Sequence, residues 1–213
     1  MSQYYKEAIS SDIFTYIANT SEKLRIDSYV IGGFVRDFLL KRKNGAKDID
    51  ILTIGNGINL AKAVAKILPN KPKVQIFKTY GTAMLRYGDA EVEFVGARKE
   101  SYKEESRNPE VQEGTLQDDQ NRRDFTINTL AISLNKNDYG LLLDPFNGVE
   151  DLEKGIIRTP LNPEITYSDD PLRMLRAIRF AAQLNFKIEK KSLAAITKNV
   201  NRIDIITSER IID

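Results

Sequence analysis

The chain has 213 residues, 41% of them hydrophobic, enough for a sizeable core in one domain or a domain with an appendage. Its 32 basic and 30 acidic side chains give a formal charge of +2, which excludes a polybasic tail and the composition of a disordered acidic chain. Neither Cys nor His occurs, so disulfides, thiol nucleophiles, thiolate zinc sites and all imidazole chemistry are excluded. Any chemistry must run on carboxylates, hydroxyls, Lys, Arg and backbone, a donor set suited to hard cations such as Mg²⁺. The chain opens without a basic segment leading into an apolar run, and no stretch of about 18 apolar residues occurs, so a cytoplasmic protein is expected.

In chain order, Ile13, Phe14, Ile17, Ala18 and Leu24 recur at helical spacing over residues 12 to 26. Tyr29-Val30-Ile31 reads as a short strand running into Gly32-Gly33, after which Val35, Phe38, Leu39 and Leu40 predict a helix. Asp48 to Leu52 alternates polar and apolar, as a strand with one exposed face should, and Ile58 to Leu68 returns to helical spacing before Pro69. Strands are expected at Val74 to Phe77, Thr82 to Tyr87 and Glu91 to Val95, the last two joined by a turn at Gly88-Asp89. This order predicts an α/β or α+β domain with a mixed sheet of about five strands. Arg98 to Asp119 is polar and reads as a long loop, followed by a short helix from about Phe125 to Ala131 and strands near Ile132 to Leu134 and Leu141 to Leu143. Beyond Pro163 the pattern is helical, at Pro171 to Leu184 and Glu189 to Lys198. Residues 207 to 213 look like a helix start with nothing after it, so a trimmed chain is expected.

Four groups of residues can carry chemistry. Gly32-Gly33-Phe34-Val35-Arg36-Asp37 turns a strand into a helix, where backbone N–H groups can approach an anion. Asp48 and Asp50, two apart on a strand, share one face while Ile49 and Ile51 face the core; a shared divalent cation would relieve their repulsion. Glu91 and Glu93 repeat that arrangement on a later strand, and spacing does not choose between them as a third carboxylate. A glycine pair, acid-x-acid and a later acid are what two-metal transfer to a nucleotide α-phosphate needs. Arg122 and Arg123 precede a short helix and have Asp118 and Asp119 within reach as ordinary partners. Finally, Asp169-Asp170-Pro171 caps a helix carrying Arg173, Arg176 and Arg179. Three cations near a helix N-terminus oppose the macrodipole and call for an anionic partner, either the neighbouring acids or a nucleotide. Residues 170 to 202 hold eight basic side chains against two acidic, so the neutral total conceals a basic segment.

Assembled, these motifs resemble the class II CCA-adding enzymes and bacterial poly(A) polymerases, of the nucleotidyltransferase superfamily that includes DNA polymerase beta. The resemblance runs from about Tyr29 to the last residue, with the motifs in the family's order. It implies a catalytic head over residues 1–152 and the beginning of a helical neck over 153–213. It also implies addition of CMP or AMP from CTP or ATP to the 3′ end of tRNA, with Asp48 and Asp50 binding two Mg²⁺ ions. Glu93-Phe94-Val95-Gly96-Ala97-Arg98 is similar to a family stretch, which favours Glu93 as the third carboxylate. Gly32, Gly33 and Arg36 would meet the triphosphate. Arg122-Arg123-Asp124-Phe125-Thr126-Ile127-Asn128 resembles the second motif, implying nucleotide contacts from Arg123, less so Arg122, and from Asp124 and Asn128. Asp144 to Gly148 with Asp151-Leu152 resembles the third, a hinge-like turn. Asp169-Asp170-Pro171-Leu172-Arg173 resembles the family's Glu-Asp-x-x-Arg motif with Asp169 in place of Glu, so Asp170 and Arg173 would read the base edge; Arg176 and Arg179 match further nucleotide-contacting positions. Residues 101 to 117 would be a flexible loop ordering the site, and 206 to 211 resemble the opening of the neck motif. Lys78-Thr79-Tyr80-Gly81-Thr82 looks more like the CCA-adding stretch than the poly(A) one, which favours tRNA as acceptor. The alternatives are poly(A), CC-only or A-only addition, a small-molecule nucleotidyltransferase, and a non-catalytic nucleotide- or RNA-binding module of the same fold.

Overall fold

A computed structural model describes residues 3–42, 47–101 and 109–207 of the chain. After a 3₁₀ turn at Lys6–Ile9, helix α1 (Asp12–Leu24) buries Ile13, Phe14 and Ile17 and stops where Arg25 turns left-handed. Strand β1 (Ser28–Ile31) leads through Gly32 into α2 (Gly33–Leu39). Strand β2 (Asp48–Thr53) is followed by α3 (Gly57–Ile67), whose first turn is capped by the Asn56 side chain accepting from the Asn59 N–H. Next come β3 (Gln75–Phe77), β4 (Thr82–Tyr87), β5 (Ala90–Gly96), β6 (Arg98–Ser101), β7 (Glu110–Glu113) and α4 (Leu116–Asn121). A 3₁₀ turn at Thr126–Asn128 precedes β8 (Ala131–Ser133), β9 (Leu142–Leu143), α5 (Gly148–Lys154) and β10 (Ile156–Ile157). The chain continues as α6 (Pro163–Asp169), α7 (Leu172–Leu184), β11 (Lys187–Ile188), α8 (Lys190–Asn199) and a 3₁₀ stretch, Val200–Ile205.

Seven strands form one mixed sheet in the order β3-β4-β5-β2-β1-β8-β9, in which β2 and β5 run parallel and the other pairs antiparallel. This is the mixed sheet expected, carried past five strands by the short β8 and β9. Alternation decides its faces. Ile49, Ile51, Val92, Phe94 and Leu85 point to one side and pack with α1 and α3 into a continuous core. Their neighbours Asp48, Asp50 and Glu93 therefore point to the other side, where a smaller buried apolar cluster of Ile31, Leu52, Ala97 and Ala131 lies. Tyr167, Met174, Ala177 and Ala195, from α6 to α8, belong to the large core, so these helices are packed onto the rest.

Two expectations are corrected. Within the stretch read as a loop, β6 and β7 pair antiparallel, from Arg98 opposite Glu113 to Ser101 opposite Glu110, and α4 follows with Thr115 and Asp118 in a reciprocal capping box. Polarity hid the ribbon, because β7 is exposed along its whole length. The helix expected from Phe125 to Ala131 is one 3₁₀ turn, since the chain enters the sheet at Ala131. Residues 102–108 of the expected flexible loop and the neck motif from residue 208 onward lie outside the described residues.

Candidate active site

The carboxylates stand where the sheet register puts them. Asp50 is opposite Glu93 and Asp48 opposite Glu91 across the parallel β2–β5 pair, so all four share a face. Register also separates the two glutamates. Arg86, opposite Glu91 on β4, donates to Glu91 from Nε at 3.0 Å and from Nη2 at 2.5 Å. Glu93 has Met84 opposite it and stands beside Asp50 in the cavity, without an ion pair among the described residues. The geometry thus favours Glu93, which spacing left open.

Burial pushes the Asp50 carboxyl above the usual range, and although Arg123 opposes this, the charges of Glu93, Asp48 and Asp119 push it further. Three oxygen-only donors that repel one another fit a hard divalent cation, with Asp48 and Asp50 as its natural holders. Among the described residues, no three acids close into a preformed metal cage, so the fit is to an open, substrate-completed site.

Facing the acids is a cationic wall. A cavity of about 410 Å³ has Asp50 and Glu93 on its floor and Arg98, Arg123, Arg173 and Arg176 among its walls, with Arg122, Asp124 and Asp170 also lining it. Arg123 Nε donates to Asp119 at 2.9 Å and Arg122 pairs with the same fully buried carboxylate; Arg122 Nη1 also reaches Glu100 at 3.3 Å. Asp119 is thus the ordinary partner expected for the arginines, while Asp118 is spent on the α4 cap. One residue anchoring two guanidinium groups leaves their outer edges turned to the cavity. Gly32 makes this approach possible: its φ is +82°, and a Cβ there would lie 3.0 Å from Arg123 Nη1 and 3.6 Å from Asp50 Oδ2.

Helix α7 supplies the other wall. Asp170 Oδ1 accepts from the Leu172 N–H at 3.2 Å, and Arg173, only 8% exposed, points Nη1 at the Thr166 carbonyl from 3.5 Å. Arg176 Nε donates to Asp124 Oδ2 at 2.7 Å and its guanidinium lies 5.2 Å from the Phe180 ring centroid. Burial alone would raise the Asp124 carboxyl, but the Arg176 charge, bonds from Asn128 and Arg176, and the Arg173 charge outweigh it and hold the group low.

Several expected contacts fall outside the cavity walls. Arg36 is 8% exposed, donates from Nη1 to Asn128 Oδ1 at 2.8 Å and from Nε to Asp37 at 2.9 Å, and stacks 5.1 Å from Phe180. Asn128 donates from Nδ2 to Asp124 Oδ1 at 2.9 Å. Arg36 and Asn128 thus stand behind the wall, and Gly33 opens α2 beside them. Arg179 is exposed beside Phe180, because steps of three residues fall short of a full helical turn and drift away from the Arg173 face. Asp144 caps α5, accepting from the Gly148 and Val149 N–H groups at 2.6 and 3.0 Å. Sequence reasoning missed Phe180, which reads as one more apolar position of α7, and took Tyr80 and Thr82, both lining the cavity, only as part of a stretch that favours tRNA as acceptor.

A mixed sheet that lifts paired acids toward an arginine wall defines a nucleotidyltransferase head. The family comparison agrees: a model described as "Poly A polymerase head domain" matches residues 28–158, and one described as "Probable RNA and SrmB- binding site of polymerase A" matches residues 185–213. The chain belongs to the poly(A) polymerase head-domain family. It is 42% identical over 174 residues to the A-adding tRNA nucleotidyltransferase of Aquifex aeolicus, covering 82% of this chain and 20% of that protein. It is 38% identical over 199 residues to the CCA-adding enzyme of Lactobacillus helveticus, covering 92% and 46%. A CCA-adding enzyme in an apo form superposes with a TM-score of 0.88 at 33% identity, over 99% of this chain and 51% of the other. A tRNA nucleotidyltransferase complexed with a primer tRNA and an incoming ATP analog gives 0.78 at 35% identity, over 92% and 54%. The chain spans half or less of the length of these curated relatives. No helix among the described residues is long and apolar enough to cross a membrane.

Proposed function

We propose that this chain is the catalytic head, residues 1–152, and the start of the nucleotide-selecting neck, 153–213, of a cytoplasmic, template-independent nucleotidyltransferase that adds CMP or AMP to the 3′ end of tRNA. The observation that carries the reading is the placement of Asp50 and Glu93, with no ion-pair partner among the described residues, on the floor of a cavity walled by arginines of two separate elements. A nucleoside triphosphate is the ligand whose charge and shape match that cavity. Its phosphates meet Arg123, Arg176 and the α2 N-terminus beyond Gly32, while Asp170 and Arg173 present an acceptor and a donor fork to the base edge. The RNA 3′-hydroxyl oxygen forms a bond to the α-phosphorus as the bond to the bridging oxygen breaks and pyrophosphate leaves, the proton passing to the carboxylates. Asp48 and Asp50 would hold Mg²⁺, whose chemistry there is to lower the hydroxyl pKa and neutralise the departing phosphates. Asp124, Asn128 and Arg36 act behind the site, keeping Arg176 in place.

The relatives named for A addition and for CCA addition are comparably similar, so the test must resolve them. Purified protein is incubated with CTP or ATP separately and with tRNA ending before CCA, tRNA ending after CC, or an unrelated RNA. CMP on the first and AMP on the second mark CCA addition. AMP confined to the second marks an A-adding enzyme, AMP on every RNA a poly(A) polymerase. Absence of incorporation with intact nucleotide binding would instead leave a binding module.

A further inference from the structure

A second cavity, of about 340 Å³, adjoins the arginine-lined one, and its walls differ in chemistry. The two share Asp50, Tyr80, Thr82 and Glu93, which form the partition between them. Phe77 and Met84 line only the second, and none of its lining residues is basic. Register fixes this arrangement: Phe77 is opposite Thr82 and Met84 opposite Glu93, which is itself opposite Asp50, so the apolar side chains share the acids' face.

Tyr80 is 63% exposed and Phe77 41% exposed. Single exposed aromatics are ordinary, but two such rings on the wall of a cavity floored by carboxylates form a platform. A triphosphate is drawn to the arginines of the first cavity, whereas the second offers no basic side chain to hold one. What the second cavity admits is an uncharged flat group with hydroxyl donors, the properties of a terminal nucleoside with its base and ribose. The direction of reaction points the same way, since attacking and leaving oxygens lie in line on opposite sides of the phosphorus. With the leaving phosphates against the arginines, the attacking hydroxyl arrives from across the partition.

The geometry points to the second cavity as the seat of the acceptor RNA's 3′-terminal nucleoside, with Phe77 and Tyr80 as the surface on which its base stacks. This rests on the transferase reading above. Stacking reads a base's π-face and not its edge, so the platform accepts any terminal base, as an enzyme that extends its own products requires.

The test uses Phe77→Ala, Tyr80→Ala, the double variant and the ring-retaining Tyr80→Phe. In steady-state addition, Phe77→Ala and Tyr80→Ala should each raise the KM for acceptor RNA at least about fivefold, the lower range for one stacked base. The nucleotide KM should be unchanged in Phe77→Ala, and Tyr80→Phe, which keeps the ring, should restore the acceptor KM lost in Tyr80→Ala. Independently of turnover, an acceptor carrying 2-aminopurine at its 3′ end should be quenched on binding to the unsubstituted protein and Tyr80→Phe, and stay bright on the double variant. Equal quenching by the double variant, or a rise in nucleotide KM with acceptor KM unmoved, overturns the platform and leaves the transferase reading standing. No incorporation by the unsubstituted protein on any RNA overturns both.

Discussion

Asp50 shows what the proposed chemistry costs in stability at a single residue. Its carboxyl is pushed up by burial and by the neighbouring acids, so the folded chain binds its proton more tightly than the unfolded chain does. Such a group favours folding below the ordinary carboxylate pKa, and that contribution is lost as pH rises through the folded value. Asp50→Asn, permanently neutral, should therefore melt at a higher temperature than the unsubstituted protein at pH 7, with the two converging near pH 3, as scanning fluorimetry can follow. Mg²⁺ should raise the melting temperature of the unsubstituted protein and not of Asp50→Asn, narrowing the gap by mass action. Nucleotide addition by Asp50→Asn should fall by at least about 10²-fold, the usual loss when one electrostatic stabiliser is removed. A second residue-scale prediction concerns Gly32. Gly32→Ala faces both a left-handed backbone and Arg123, so it should cost about 1–3 kcal/mol in urea unfolding and depress addition as Arg123 is displaced. Both sites were legible in the sequence, the acid pair from its period and the glycine from its place between strand and helix. The choice of Glu93 over Glu91 was not legible from spacing, because it depends on Arg86 lying opposite Glu91 on a strand whose register no local pattern fixes.

Among the elements, α7 carries most of what the sequence left ambiguous. Its arginines could have paired with Asp169 and Asp170 alone, yet Arg176 crosses to Asp124, and Phe180 is stacked by Arg36 and Arg176 and meets the Phe125 ring edge-on at 5.8 Å. One half-buried ring thus holds a helix of the C-terminal segment against α2 and the 3₁₀ turn. Phe180→Ala should destabilise the chain by about 2–3 kcal/mol, from the lost ring pair, cation–π contacts and apolar area. Because Arg176 then loses its backing, nucleotide KM should rise, whereas Phe180→Tyr, which keeps the ring, should restore it; a loss of stability with unchanged nucleotide KM would make Phe180 a packing residue only. The β6–β7 ribbon was illegible for the opposite reason. Helices and strands that bury a face announce it by periodicity, but Glu110 to Glu113 buries nothing, so its pairing leaves no apolar trace.

At the scale of the whole molecule, the family resemblance implies a division at about residue 152 and the pattern turns helical beyond Pro163, but neither gives information on how tightly the parts are coupled. Coupling is a matter of packing. Tyr167, Met174, Ala177 and Ala195 lie in one continuous core with Phe14, Phe34, Ile49 and Phe94, and the Arg36–Asn128–Asp124–Arg176 chain runs from α2 to α7 beside it. Pulling the C-terminal helices away would expose buried Tyr167 and Phe125 and break the Asp124–Arg176 ion pair, a cost of several kcal/mol from the apolar area alone. The described residues should therefore unfold in a single calorimetric transition whose calorimetric and van't Hoff enthalpies agree. ATP or CTP with Mg²⁺, bridging the sheet acids to the α7 arginines, should move that whole transition upward. Lowering the pH through the depressed pKa of Asp124 should weaken it, since that carboxyl stabilises the fold above its unfolded pKa and loses its effect as it protonates. Two resolved transitions, with only one shifted by nucleotide, would show instead that the sheet and the C-terminal helices melt independently and that the nucleotide is held by one of them alone.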